Sequence, residues 1–201
     1  MTIIVADATC GLPRDLLAQR GVPTVPQVVI FGEDSYHDDK ELDTATFLQK
    51  LKASPTLPKT AAPEPPLYYP IFKAAQQNGE SVIVIAPSAK GGCIGGAKKL
   101  LAELLEIKPI LTIREGQVEP FEQQRTKKRA MARLAEVVAE QCPRTAESYL
   151  SVLQVAAEVE AQAFVAELKE LVSIPRIPVY ELPPAIVVHG GPKTMGVGFF
   201  A

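Results

Sequence analysis

Hydrophobic positions in this chain recur in two periods, and the alternation between them predicts the elements. Thr2–Ala6 is a short run rich in β-branched residues and reads as a strand, followed by a loop over Asp7–Gly11. Pro13 opens a short helix that runs to Gln19. Val25–Phe31 reads as a second strand, stopped by Gly32. Over Thr44–Lys52 the apolar residues Phe47, Leu48 and Leu51 share one helical face, with Asp43 or Thr44 as the cap. Residues 54–70 then hold six prolines in seventeen positions, too many for a helix or an interior strand. Tyr68–Asn78 resumes the helical period, which Gly79 ends. The run Val82–Ala86 is continuously apolar, the pattern of a strand buried on both faces of a parallel sheet.

The second half repeats the alternation. A helix is expected over Ala97–Leu105, a strand at IKPILTI, and a hairpin-like turn at REGQVEPF with Gly116 at its tip. A long helix over Gln123–Cys142, a strand within Tyr149–Val155 and a helix over Glu158–Val172 follow, with strands near Ile177–Tyr180 and Ile186–Val188. Strands alternating with helices imply an α/β fold, helices packed on a sheet.

Four glycines, Gly91, Gly92, Gly95 and Gly96, stand between the apolar strand and the next helix. Glycine permits close backbone approach, and a helix start offers N–H groups to an anion. The spacing nevertheless departs from a phosphate loop, because Gly96 is followed by Ala97 and Lys98 by Lys99. A net charge of −2 argues against a chain whose main work is holding nucleic acid. The five basic residues in RTKKRAMAR therefore read as the solvated side of an amphipathic helix. No apolar run approaches the ~20 residues needed to span a bilayer, and a cytoplasmic location is expected. Cys10, Cys93 and Cys142 show no paired spacing, so neither a disulfide framework nor a zinc site is indicated. Asp7, Asp34, Asp38 and Asp39 can be drawn as a magnesium site, but their spacing does not bring them together.

IIVADATCGLP, VPQVVIFGEDSYHD, PKTAAP, GGCIGGAKKLLAELLEIKPIL, the REG turn with QQRTKKRA, and the closing VVHGGPKTMGVGFF together resemble the DegV family, in that order and over most of the chain. The resemblance implies a two-lobe architecture, a Rossmann-like parallel-sheet lobe over residues 1–90 and a second α/β lobe with a mixed sheet over 91–201. It also exposes a gap. Family members follow the Val82–Ala86 strand with a serine-rich loop ending in Ser-Gly-Thr and several further elements, whereas here Ser88, Ala89 and Lys90 run straight into Gly91. The break is placed between Ser88 and Cys93.

The same resemblance implies a non-catalytic carrier of a long-chain fatty acid, needing no cofactor, that presents the bound carboxylate to a fatty-acid kinase. Thr60 of KTAAP matches the threonine that holds the carboxylate, His189 the family's C-terminal histidine, and Arg125 an arginine near the ligand head and the kinase-facing surface, so the resemblance implies a fatty-acid carboxylate held near Thr60, Arg125 and His189. His189 is expected at a strand end, and His37 in a solvated loop. Two departures stand out. The serine usual after Thr60 is Ala61, and the arginine of the family's GGR element is Cys93, which removes a permanent cation. The alternative is a degenerate or truncated DegV-like domain that binds no lipid and acts through protein contacts.

Overall fold

The computed structural model describes residues 1–38, 40–87, 107–114 and 117–201. The expected glycine loop, the helix over Ala97–Leu105, Cys93 and the hairpin tip at Gly116 lie outside the described residues, as does Asp39. The chain divides into two compact units. The first is Met1–Pro87 with Glu181–Pro192, and the second is Ser88–Tyr180 with Lys193–Ala201.

The first unit opens with β1 (Thr2–Asp7), the middle strand of a three-stranded sheet. Helix α1 (Arg14–Gln19) returns the chain to β2 (Thr24–Val25), which pairs with β1 in parallel. The strand expected over Val25–Phe31 is two strands. Pro26 has no N–H for a ladder, so the chain leaves the parallel sheet there and re-forms as β3 (Val28–Phe31) in a different sheet. A two-residue turn, with Gly32 at a φ of 61°, joins β3 to β4 (Asp34–His37). Helix α2 (Thr44–Ala53) starts on the Asp43 carboxylate, which accepts from the Thr46 N–H at 2.7 Å. It buries Phe47 completely, with the Phe31 ring 5.7 Å away.

The proline-rich segment contains a strand after all, β5 (Lys59–Ala61), but one confined to a sheet edge. It pairs with β3 alone, in the order β4-β3-β5, which is the position where flanking prolines cost no ladder bonds. Helix α3 (Tyr69–Gln77) has Pro70 in its first turn. It leads into β6 (Ser81–Ile85), which pairs with β1 in parallel in the order β2-β1-β6.

β6 departs from its expected burial. Ile83 is 54% exposed, Val84 38% and Ile85 58%. Alternation along the pair puts Ile4, Ile83 and Ile85 on one face of the sheet, and Ile4 is 44% exposed as well. Val5, on the opposite face, is sealed. An apolar run shows that a strand forms but not that anything covers it: Ile4, Ile83 and Ile85 stay exposed on this face, where Ala6 alone is buried among the described residues.

In the second unit β7 (Lys108–Arg114) and β8 (Gln117–Gln124) form an antiparallel hairpin with a bulge at Ile110/Leu111. The segment read as turn is thus mostly strand, and the helix expected from Gln123 begins later, as α4 (Lys127–Gln141). Thr126 caps it by accepting from the Arg129 N–H at 3.2 Å. β9 (Ser151–Gln154) is the centre of a mixed sheet with β10 (Val179–Glu181) and β11 (Met195–Gly198). Val138 of α4, Phe164, Leu168 and Val172 of α5 (Glu158–Val172), Val152 of β9 and Leu150 just before it form one core. The strand β11 has no counterpart among the expected elements, because its MGVG sequence lacks the usual strand composition. The fold is α/β, with one parallel and one mixed sheet among its layers.

The run Ile186–Val188, expected as strand, is helical: α6 spans Pro184–Gly190. Two consecutive prolines open it, and the Pro183 carbonyl accepts from the N–H groups of both Ile186 and Val187. A short β-branched run does not separate strand from helix by itself, and here the proline start decides.

Candidate functional site

Thr60 sits at the centre of β5, opposite Val29 of β3. His189 lies in the last turn of α6, which packs on β3 and β5 within the first unit. The two side chains meet: Thr60 Oγ1 is 3.2 Å from His189 Nε2, across 129 positions of sequence. Both are partly buried. The hydroxyl both donates and accepts. When Nε2 carries its hydrogen and donates to Oγ1, the hydroxyl hydrogen turns outward toward an incoming oxyanion. A bond of that kind to a carboxylate is charge-assisted and short. The expectation that His189 sits at a strand end is corrected to a helix end.

Arg125 belongs to the second unit, exposed between β8 and the Thr126 cap of α4. Two basic residues of that helix have carboxylate partners, Lys127 with Glu160 at 3.7 Å and Arg133 with three. Arg133 donates through Nε to Glu122 at 3.0 Å and through Nη1 to Glu136 and Glu140 at 3.1 and 3.2 Å. Its guanidinium is stabilised in the charged form first by Glu122, then by Glu136. This is the arrangement of a solvated ion-pair face.

The aspartates expected to stand apart are partly assembled. Asp7 is buried, and its Oδ2 accepts from Gln27 Nε2 at 2.6 Å while Oδ1 accepts from the Thr9 N–H at 2.8 Å. Asp38 Oδ1 accepts from the Gln27 backbone N–H at 3.0 Å. Gln27 therefore ties both carboxylates to the point where the chain leaves the parallel sheet. Nothing in the sequence marks it beyond its position after Pro26. Burial pushes the Tyr68 phenol above its ordinary pKa, and the negative charge of Asp7 adds to this. With both oxygens occupied, Asp7 holds structure. Asp34 lies instead beside Tyr36, whose hydroxyl accepts from Lys50 Nζ at 2.9 Å. Among the described residues no acidic, histidine or cysteine cluster suits a metal ion. His37 Nδ1 lies 3.3 Å from Glu41 Oε2, so the residue expected in a solvated loop ends β4 with a carboxylate partner. Cys142 is part of the second unit's core.

A family model described as "Uncharacterised protein, DegV family" matches residues 1–90 and 89–201. The chain belongs to the DegV family. A DegV domain-containing protein of Clostridium perfringens is 25% identical over 277 residues, covering 98% of this chain and 97% of the relative. One from Halalkalibacterium halodurans is 23% identical over 275 residues, covering 98% and 97%. An alignment of 277 positions against a chain of 201 residues leaves a long stretch of the DegV relative without counterpart here. The family match divides at residues 89–90, inside the interval Ser88–Cys93. Among solved structures, a stearic acid-binding protein from Eubacterium ventriosum superposes with a TM-score of 0.84 at 16% identity, covering 99% of this chain and 98% of that one. A Thermotoga maritima protein, described as revealing a fatty acid binding function, gives 0.79 at 17% identity and 99% of both chains. Bacillus subtilis DegV, described as a fatty acid binding protein, gives 0.75 at 18%, covering 100% and 99%. These likenesses show the DegV fold. No helix among the described residues is long and apolar enough to cross a membrane.

Proposed function

We propose that this DegV-family chain is a non-catalytic, cytoplasmic carrier of a long-chain fatty acid, whose carboxylate is held by Thr60 and His189. The observation that carries the reading is the 3.2 Å contact between these two side chains, which pairs a hydroxyl with an imidazole at the end of α6. Structural relatives described as fatty acid binding proteins support the choice of ligand. The acyl chain contributes about 0.8 kcal/mol for each methylene buried, so retention depends on the tail more than on the head group. No further cofactor is required. Arg125, exposed before α4, is assigned to the surface that meets a fatty-acid kinase.

Native mass spectrometry of the purified chain, followed by titration of delipidated protein with a fluorescent fatty-acid analogue, tests the reading. A fatty-acyl adduct and saturable binding are expected. Thr60→Val and His189→Ala each lower affinity about 10-fold, the loss of one bond to a charged group. Arg125→Ala leaves that affinity unchanged and slows phosphorylation by the kinase. Absence of both adduct and saturable binding overturns the carrier reading. The bare β6 face favours a second reading, a reduced DegV domain that binds no lipid and works through protein contacts.

A further inference from the structure

β6 carries two bare surfaces at once. Its outer edge has no ladder partner among the described residues, and the Ile4, Ile83, Ile85 face is open. Such an edge is a template for another strand. Its sequence, Ser81-Val82-Ile83-Val84-Ile85, reads nearly the same in both directions about Ile83. Antiparallel pairing of two copies about that residue sets Ile83 against Ile83, Val82 against Val84, and Ser81 against Ile85, each pair on a common face. The flanking Glu80 falls opposite Ala86, so the ladder opposes no like charges. Parallel pairing of the same two edges, by contrast, turns the Ile83 face of one copy to the opposite side of the sheet, so only the antiparallel arrangement keeps the apolar side chains together.

We propose that β6 is a self-association edge: two copies of this chain meet by antiparallel β6 pairing on a two-fold axis at Ile83. The occupant is a second copy because the strand is uncharged and complementary to itself. The DegV relatives carry a long stretch with no counterpart here, and the family match divides just beyond β6. The apolar side chains involved amount to on the order of a few hundred Å² per copy, below the ~800 Å² per partner of a standard interface. Association is therefore expected to be weak and to appear only as the protein is concentrated.

Sedimentation velocity of the full chain across roughly 1–300 µM, a range chosen to span micromolar affinity, tests this. A concentration-dependent dimer is expected. Ile83→Lys and Ile83→Glu each place like charges across the axis and weaken the dimer at least ~10-fold. An equimolar mixture of the two variants restores a heterodimer. Far-UV circular dichroism checks that each remains folded, as expected for a side chain that is 54% exposed. If either misfolds, Ile83→Cys decides instead: opposed Cα atoms about 4.5–5.5 Å apart lie within disulfide reach, so mild oxidation links it efficiently and Val84→Cys poorly. A chain monomeric at the highest concentration overturns the proposal. So does a mixture of the two charge variants that stays monomeric while the unsubstituted chain dimerises.

Discussion

The two units use similar strands and similar apolar residues to opposite effect. In the second unit, β9 lies against α4 and α5, and Leu150, Val152, Leu168 and Val172 are at most 1% exposed. In the first, β6 is the more apolar strand yet leaves Ile83 and Ile85 more than half exposed. How apolar a strand is therefore does not decide how deeply it is buried; that depends on the chain packed over it. The energetic weight of each residue follows the cover and not the side chain.

The largest test of that contrast sets Leu168→Ala against Ile4→Ala. Loss of the sealed leucine is expected to cost about 2–5 kcal/mol. Loss of the half-exposed isoleucine costs about 1 kcal/mol, because only about half of its surface leaves water on folding. Urea unfolding followed by circular dichroism, at protein concentrations of about 1 µM to keep self-association out, measures both. Equal losses would show that the β6 face is covered in solution.

Each unit also contains one buried glutamine at a strand end. Gln154 accepts from the Ala157 N–H at 2.9 Å and donates to Glu158 at 3.0 Å, tying β9 to α5. Gln27 serves Asp7 at 2.6 Å. Replacing Gln27 with Leu strips a buried carboxylate of a donor, with an expected loss of about 1–3 kcal/mol, again read from urea unfolding. Gln154→Leu is expected to cost a similar amount, because it leaves the buried Ala157 N–H without its acceptor, while the lost bond to exposed Glu158 adds little.

The smallest effect is acid-dependent. The Thr46 backbone N–H, then the Thr46 hydroxyl, hold the Asp43 carboxyl of the first unit below its ordinary pKa. In the second unit Glu147 is lowered by its own backbone N–H, then by Thr145. Each contributes stability that is present above the unfolded pKa and disappears as pH falls through the lower folded value, a window below about pH 4. Thermal melts between about pH 5 and 2 should therefore fall less steeply for Asp43→Asn, whose amide oxygen still caps α2, and for Glu147→Gln.

Much of this was readable from the chain. The period of Thr44–Lys52 and the cap at Asp43 located α2 almost to the residue, and Glu158–Val172 matched α5 at both ends. Thr60 and His189 were singled out by resemblance, and the structure places them in contact. What stayed hidden has physical reasons. Pro26 splits a continuous apolar run between two sheets, which periodicity does not register. Two prolines turn Ile186–Val188 into helix, and Gly196 and Gly198 disguise β11. Gln27 gave no signal, because a buried amide is defined by the partners that fold around it.

The last twenty-one residues, Glu181–Ala201, carry a consequence for synthesis. α6 belongs to the first unit and β11 to the second, so neither unit is complete until this stretch has been made. β1 to β6 have long been made by then. Until that stretch is made, β3 and β5 lack α6 and β9 lacks β11, which makes termination before Glu181 costly to both units at once and the ribosome-bound chain a natural client for chaperones that shield exposed strands.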